Sequence, residues 1–281
     1  MGYKNYFLSL TLLICSTFLY GQEKIQTVTG STGANARTSF SLTLGTAPQA
    51  GNTLIAVISG RTTTQNNVTS ITQTGVTWTR AVSRVNNNQN VNIEIWYTTA
   101  IQSNASSFIT FSQGSARTAV SVIEYSGLVY NTPLDRTASN YGNNSTPSTG
   151  TTSTTTASRE VWIGGIGLRS SSYNLTNISN SFTMIDAVSS TNSTATNNAR
   201  VFSLEKIVTT TGQAYTGGNT TSSRWAGAIA TFSIQEASIS SFTPSVVYAG
   251  GGATITINGA GFTNVTAVRF NGVSATSFTV N

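Results

Sequence analysis

Histidine does not occur in the 281 residues, and Cys15 is the sole cysteine. Without histidine the chain lacks the most frequent general base and transition-metal ligand, and with them every Ser-His-Asp or Cys-His arrangement. Cys15 falls inside an apolar N-terminal stretch that reads as a removable leader, so the mature chain is expected to carry neither a disulfide nor a thiolate. Charge is scarce as well: Asp, Glu, Lys and Arg make up 8% of the chain, against roughly 25% in an average soluble protein. Asp135 and Asp186 are the only aspartates and no D-x-D-x-D-G loop is present, which leaves calcium without its usual ligands. No cofactor or metal is expected. The net charge is +6, yet only three residues are Lys and the eleven Arg are scattered singly from Arg37 to Arg269. With no basic block, a nucleic-acid partner is not expected.

What fills the chain instead is Ser, Thr, Asn and Gly, with 38% hydrophobic residues distributed in short alternating runs. That mixture argues for a folded β protein with a neutral, hydroxylated surface rather than for disorder. Lys4, an almost unbroken apolar stretch over 7–20, small Gly21 and polar Gln22 have the order of a secretory signal peptide over 1–21. The stretch is short for a transmembrane helix, so none is expected in the mature chain. Leu12-Leu13-Ile14-Cys15 resembles a lipoprotein box, but Ile14 stands where such boxes carry a small residue.

Period-two alternation recurs every ten to fifteen residues and predicts strands over 37–44, 53–59, 76–85, 91–98, 108–112, 118–125, 161–168, 182–188, 201–208 and 225–234. No segment has a helical pattern. Many short strands without helices between them predict an all-β fold, a jelly-roll-like antiparallel β-sandwich. Three tracts rich in Ser, Thr, Asn and Gly, over 139–158, 170–180 and 189–198, read as long surface loops, with part of 149–156 a candidate exposed strand.

Two resemblances follow from particular motifs. Gly51-Asn52-Thr53-Leu54-Ile55, Gly75-Val76-Thr77-Trp78-Thr79, Glu94-Ile95-Trp96-Tyr97, Glu124-Tyr125-Ser126-Gly127 with Pro133-Leu134-Asp135, and Trp225-Ala226-Gly227 occur in an order that resembles a bacterial extracellular β-sandwich domain of unassigned function. This implies a structural or binding role and identifies no site residue. The segment from Ser238 onward, with Gly259-Ala260-Gly261-Phe262 and Val268-Arg269-Phe270-Asn271-Gly272-Val273, is similar to the first part of an IPT/TIG domain, an immunoglobulin-like fold. Asn271-Gly272 is a strong hairpin signal, and Gly259 and Gly261 flank a turn. The expected organisation is a signal peptide at 1–21, a jelly-roll-like sandwich at 22–236 and an incomplete IPT/TIG module at 237–281. Because half a sandwich buries little core, the natural polypeptide is expected to continue as a larger multi-domain protein.

Carbohydrate binding is the most concrete function these residues suggest. Alternation places Val91, Ile93, Ile95 and Tyr97 on one strand face and Asn92, Glu94 and Trp96 on the other, so that Trp96 is expected on a polar face. An exposed indole stacks on a sugar ring while Asn92 and Glu94 pair with its hydroxyls. Trp78, Trp162 and Trp225 are expected in the core, and Tyr141, Tyr173 and Tyr215 are alternative contacts on loops. The enzyme alternative is a glycoside hydrolase using Glu94 and Glu124, which requires carboxylates about 5–9.5 Å apart, or the carbohydrate-binding accessory module of such an enzyme. No acidic cluster on one strand supports it, and the protein is expected not to be an enzyme. The reading is a secreted or bacterial cell-surface structural or adhesive protein that binds an extracellular glycan or a surface protein, with a passive spacer as the other alternative.

Overall fold

The computed structural model describes residues 22–86, 88, 90–245, 252–262, 265, 267–270 and 273–280. The leader expected over 1–21, Cys15 included, lies outside the described residues. Glu23–Ile234 forms one compact unit, and Gln235–Asn281 belongs to another.

The first half of the larger unit supplies β1 (Glu23–Ser31), β2 (Arg37–Thr43), β3 (Thr53–Arg61), β4 (Val68–Thr72), β5 (Val76–Asn86), β6 (Val91–Ile101) and β7 (Phe108–Ser126). The second supplies β8 (Leu134–Asn144), β9 (Glu160–Leu168), β10 (Thr183–Ser189), β11 (Arg200–Val208) and β12 (Ser223–Ser233). Each half makes its own sheet, ordered β1-β7-β3-β6-β5 and β10-β11-β9-β12-β8, with every neighbouring pair antiparallel. The result is an all-β, jelly-roll-like sandwich. Inward residues of both sheets, among them Ile55, Val57, Ile93, Ile123, Ile163 and Phe232, form the central core.

Both sheets also bury their outer faces, so the sandwich has two further cores. The runs predicted over 108–112 and 118–125 are one strand, β7, that turns away from the first sheet. Its N-terminal half is flanked by β2 and β4, and these three segments roof the outer face. Phe40, Ile71, Ile109 and Phe111 pack down onto Leu54, Ile58, Trp96 and Val120, with Phe40 and Phe111 stacked at 4.8 Å. This is why β3 reads as a continuous apolar run, Leu54 to Ile58, rather than as an alternation.

Polar segments roof the second sheet. The tracts read as surface loops are irregular over 145–158, 170–180 and 190–198, whereas 139–144 belongs to β8; from the second of them Leu175 points inward and, with the neighbouring Phe182, joins Trp162, Phe202 and Trp225 in the third core. Thr149, Thr152 and Thr155 are buried, which corrects the expectation of an exposed strand there. Their amides donate to the carbonyls of Thr216, Ala214 and Gly212 at 2.9, 3.0 and 2.9 Å. Their hydroxyls accept the return bonds from the amides of Thr216, Ala214 and Gly212 at 3.0, 2.9 and 3.2 Å. A threonine every third residue thus does for this segment what a neighbouring backbone does for a strand. Thr152→Val keeps the shape but leaves the Ala214 amide without an acceptor, and should lower stability by about 1–2 kcal/mol. A urea midpoint equal to that of the wild type would contradict this pairing.

In the smaller unit β13 (Ser238–Thr243) pairs with β14 (Thr256–Ala260), and β15 (Arg269–Phe270) with β16 (Val273–Ser274). The hairpin dipeptide Asn271-Gly272 lies outside the described residues. Gly261 has φ +71, and a side chain there would meet the Glu236 carbonyl at 2.6 Å, which accounts for glycine at that turn. None of the described residues from 235 to 280 is buried.

Candidate functional site

The predicted sugar-binding face is closed. Trp96, Asn92 and Glu94 are 6%, 1% and 0% exposed, because the roof made by β2, β4 and the first half of β7 covers their side of β6. The two faces of β6 alternate as expected, but the second face packs against a core rather than facing water, which corrects the expectation that Trp96 lies on a polar surface. In this position the three residues hold the roof in place. Glu94 accepts from the Val68 amide at 3.0 Å, Asn92 Nδ2 at 3.1 Å, Trp96 Nε1 at 3.0 Å and Arg80 Nε at 3.0 Å. Arg80 also donates to the Val68 carbonyl and lies over the Trp96 ring at 4.4 Å. Asn92 Oδ1 accepts from the Gly60 amide at 2.7 Å. A buried charge with this many donors is satisfied internally and offers no face to a sugar ring.

The other carboxylates are enclosed in the same way. Glu124 accepts from the Gln49 amide, Asn52 Nδ2 and Gln26 Nε2 at 2.9, 2.6 and 2.5 Å, tying the 45–52 loop to β7. Glu94 is registered to Ile58 and Glu124 to Leu54 of the intervening β3, which puts their backbones about 16 Å apart by strand spacing. That is beyond the range of a glycosidase pair.

A third buried carboxylate, Glu160, was not expected from the sequence. Trp162 Nε1 donates to it at 2.7 Å and Thr231 Oγ1 lies at 3.3 Å. Burial is the main cause that pushes its pKa up to about 7, and the neighbouring Asp135 adds to the rise. Asp135 is held low: burial works against this, but bonds from the Thr156 amide and hydroxyl, at 2.5 and 2.7 Å, together with Arg136, prevail. The signal was present as a repeat, since Glu160-Val161-Trp162 matches Glu94-Ile95-Trp96 and each Trp bonds its own Glu on the outer face of a sheet.

Of the remaining aromatics, Trp162 and Trp225 are buried as expected, and Trp78 is half-buried with its Nε1 donating to Gln73 at 3.0 Å. Tyr173 packs on the third core, whereas Tyr141 and Tyr215 are exposed, the former with the Arg84 guanidinium 4.5 Å from its ring centre.

One end of the sandwich gathers arginines. On β3 the inward row Ile55, Val57, Ser59 ends in Arg61, and on β7 the row Ile123, Ser121, Ala119 ends in Arg117. On β12 the row Ala230, Ala228, Ala226 ends in Arg224, and the row of β9 passes Gly165 and Gly167 to end in Arg169. Arg61 is registered to Arg117, and Leu168 to Trp225, so that Arg169 and Arg224 leave adjacent strands together. The sheets approach closely just inside, where a Cβ on Gly167 would lie 2.6 Å from Ser59 Oγ. Two residues further along each strand stand Arg61 and Arg169. Burial lowers the pKa of Arg61, and the like charges of Arg169, Arg117 and Arg224 lower it further; burial and Arg224 do the same to Arg169. The ion pairs Lys24–Glu205, Arg80–Glu94 and Arg136–Asp135 involve none of these four arginines.

The mouth has an ordered polar rim. Arg61 Nη2 donates to Asn197 at 3.3 Å and Arg117 Nε to the Ala34 carbonyl at 2.8 Å. The 32–36 and 190–198 segments are joined by the Thr191 amide on the Gly33 carbonyl at 3.1 Å and Asn192 Nδ2 on the Ala34 carbonyl at 3.0 Å. Buried Asn198 fixes the second segment, accepting from Ser190 Oγ and the Asn192 amide at 2.8 and 2.7 Å.

Among the described residues no group of three or more His, Cys, Asp or Glu is placed to hold a metal ion, and no helix is long and apolar enough to cross a membrane. Neither the comparison with curated proteins nor that with solved structures finds a match. A family model does match the smaller unit: residues 237–281 correspond to an IPT/TIG domain.

Proposed function

We propose that the protein is a secreted or bacterial cell-surface component with a structural and adhesive role, and that it binds an extracellular glycan or surface protein without acting on it chemically. The observation that carries this reading is the enclosure of Glu94, Glu124 and Glu160, each at most 1% exposed and each bonded by side chains or amides of the fold. A hydrolase needs its acid and base to open onto a cleft. An adhesive module needs only an ordered surface, and here the polar tracts are tied to the fold by Thr149, Thr152, Thr155 and Asn198. The IPT/TIG match at 237–281 supports the reading through its immunoglobulin-like fold.

The test incubates the whole chain with a panel of bacterial and plant polysaccharides, following reducing ends and gel retardation together. Retardation without release of reducing ends is the expected outcome. Release that disappears in Glu124→Gln or Glu160→Gln would establish a hydrolase and overturn the proposal.

A further inference from the structure

We infer that the arginine-lined mouth between the two sheets, at Arg61, Arg117, Arg169 and Arg224, is a binding site for an acidic polysaccharide bearing carboxylate or sulfate groups. It rests on the reading of the protein as an extracellular binding component and supplies the chemical class of its ligand.

Like charges brought together and partly removed from water oppose folding, and a chain with 14 basic residues in all had other places to put these four. At the equivalent position of each strand an alternating row of apolar or small residues gives way to arginine, so the gathering follows from the register of both sheets and not from one flexible loop. Arg61 Nη1 and Arg169 Nε are buried N–H groups without a hydrogen-bond partner. Buried donors are nearly always paired, and the partner that satisfies both the geometry and the charge is an anion. A planar guanidinium offers two parallel N–H groups to a carboxylate or sulfate.

The rim selects the class of anion. Asn197, bonded to Arg61, and Asn192, bonded to the Ala34 carbonyl that Arg117 also reaches, stand at the rim; such amides match the hydroxyls of a sugar ring, and the 190–198 segment carrying them is fixed by Asn198. A nucleic acid would call for basic residues along a track with aromatic faces for the bases. This cluster is instead confined to one mouth.

The test is affinity electrophoresis of the whole chain through gels containing polygalacturonate, dextran sulfate or neutral dextran, with duplex DNA titrated separately. Wild type should be retarded by polygalacturonate, dextran sulfate or both, but not by neutral dextran. The two polyanions distinguish carboxylate from sulfate as the recognised group. Retardation should vanish at roughly 0.5 M NaCl, where charges are screened within a few ångströms. Arg61→Gln with Arg169→Gln should weaken binding about tenfold or more through loss of charge-assisted donors, with a melting temperature unchanged or raised because repulsion is relieved. Arg224→Gln alone should weaken it in the same direction and guards against misfolding of the double variant. Equal binding by the variants, failure of both polyanions to retard the wild type, or binding of DNA alone would overturn the inference. Retardation by neutral glycans with no response to polyanions would overturn it too, while leaving the adhesive role standing.

Discussion

Trp96→Ala should lower the melting temperature of the larger unit by about 10 °C, from a loss of about 3–5 kcal/mol at a few degrees per kcal/mol. The indole is buried with Leu54, Ile58, Phe111 and Val120 beneath the roof of the first sheet, and truncation leaves a cavity that β2 and β4 cannot close without leaving their register on β7. Two polar contacts go with it: the Nε1 bond to Glu94 and the Arg80 guanidinium over the ring. Glu94 keeps its bonds to Arg80, Asn92 and Val68, so the loss is chiefly one of packing. Thermal unfolding followed by circular dichroism measures it. A variant that melts with the wild type, yet no longer binds a glycan, would restore Trp96 as a contact residue and contradict its burial.

The second large effect is a dependence of stability on pH that runs opposite to ordinary acid denaturation. Glu160 has a native pKa of about 7 against 4.5 when free, so between these values the folded chain holds a proton that the unfolded chain has released. Its contribution is complete below pH 4.5 and is lost as pH rises through about 7, for a total of about 3 kcal/mol. Asp135 acts with the other sign, since its native pKa is lowered; its contribution is present above its free value of 3.8 and is lost as pH falls through the lower native one. The two windows do not overlap. The denaturant midpoint of the wild type should therefore fall between about pH 5 and about pH 8, while that of Glu160→Gln, whose amide mimics the protonated acid, should stay level over the same range. Parallel profiles for the two proteins would remove Glu160 as the cause.

The strands themselves were largely written in the sequence, because alternation and turn residues act over a few neighbours. The ten predicted runs all fall on strands, and in the larger unit β1, β4 and β8 escaped because their exposed or polar residues mask the period. What alternation does not encode is the nature of the second face. On β6 the sequence Asn92, Glu94, Trp96 reads as a wet face with one aromatic, and it is dry because distant segments, β2 and β4, are drawn over it by the bent strand β7. The threonines at 149, 152 and 155 mislead in the same manner, since their hydroxyls look made for water and are used as backbone partners.

By itself the sequence determined the class of the protein: an all-β chain without histidine chemistry, with strands of period two and an IPT/TIG segment at its end. These follow from composition and from local pattern. Only the tertiary structure decided where charge and burial fall. Arg61, Arg117, Arg169 and Arg224 are isolated in the sequence and gave no sign of a basic site, and they meet because antiparallel register brings the ends of four inward rows to one mouth. Convergence of that kind depends on which strands pair, and pairing is fixed by contacts between residues far apart in the chain.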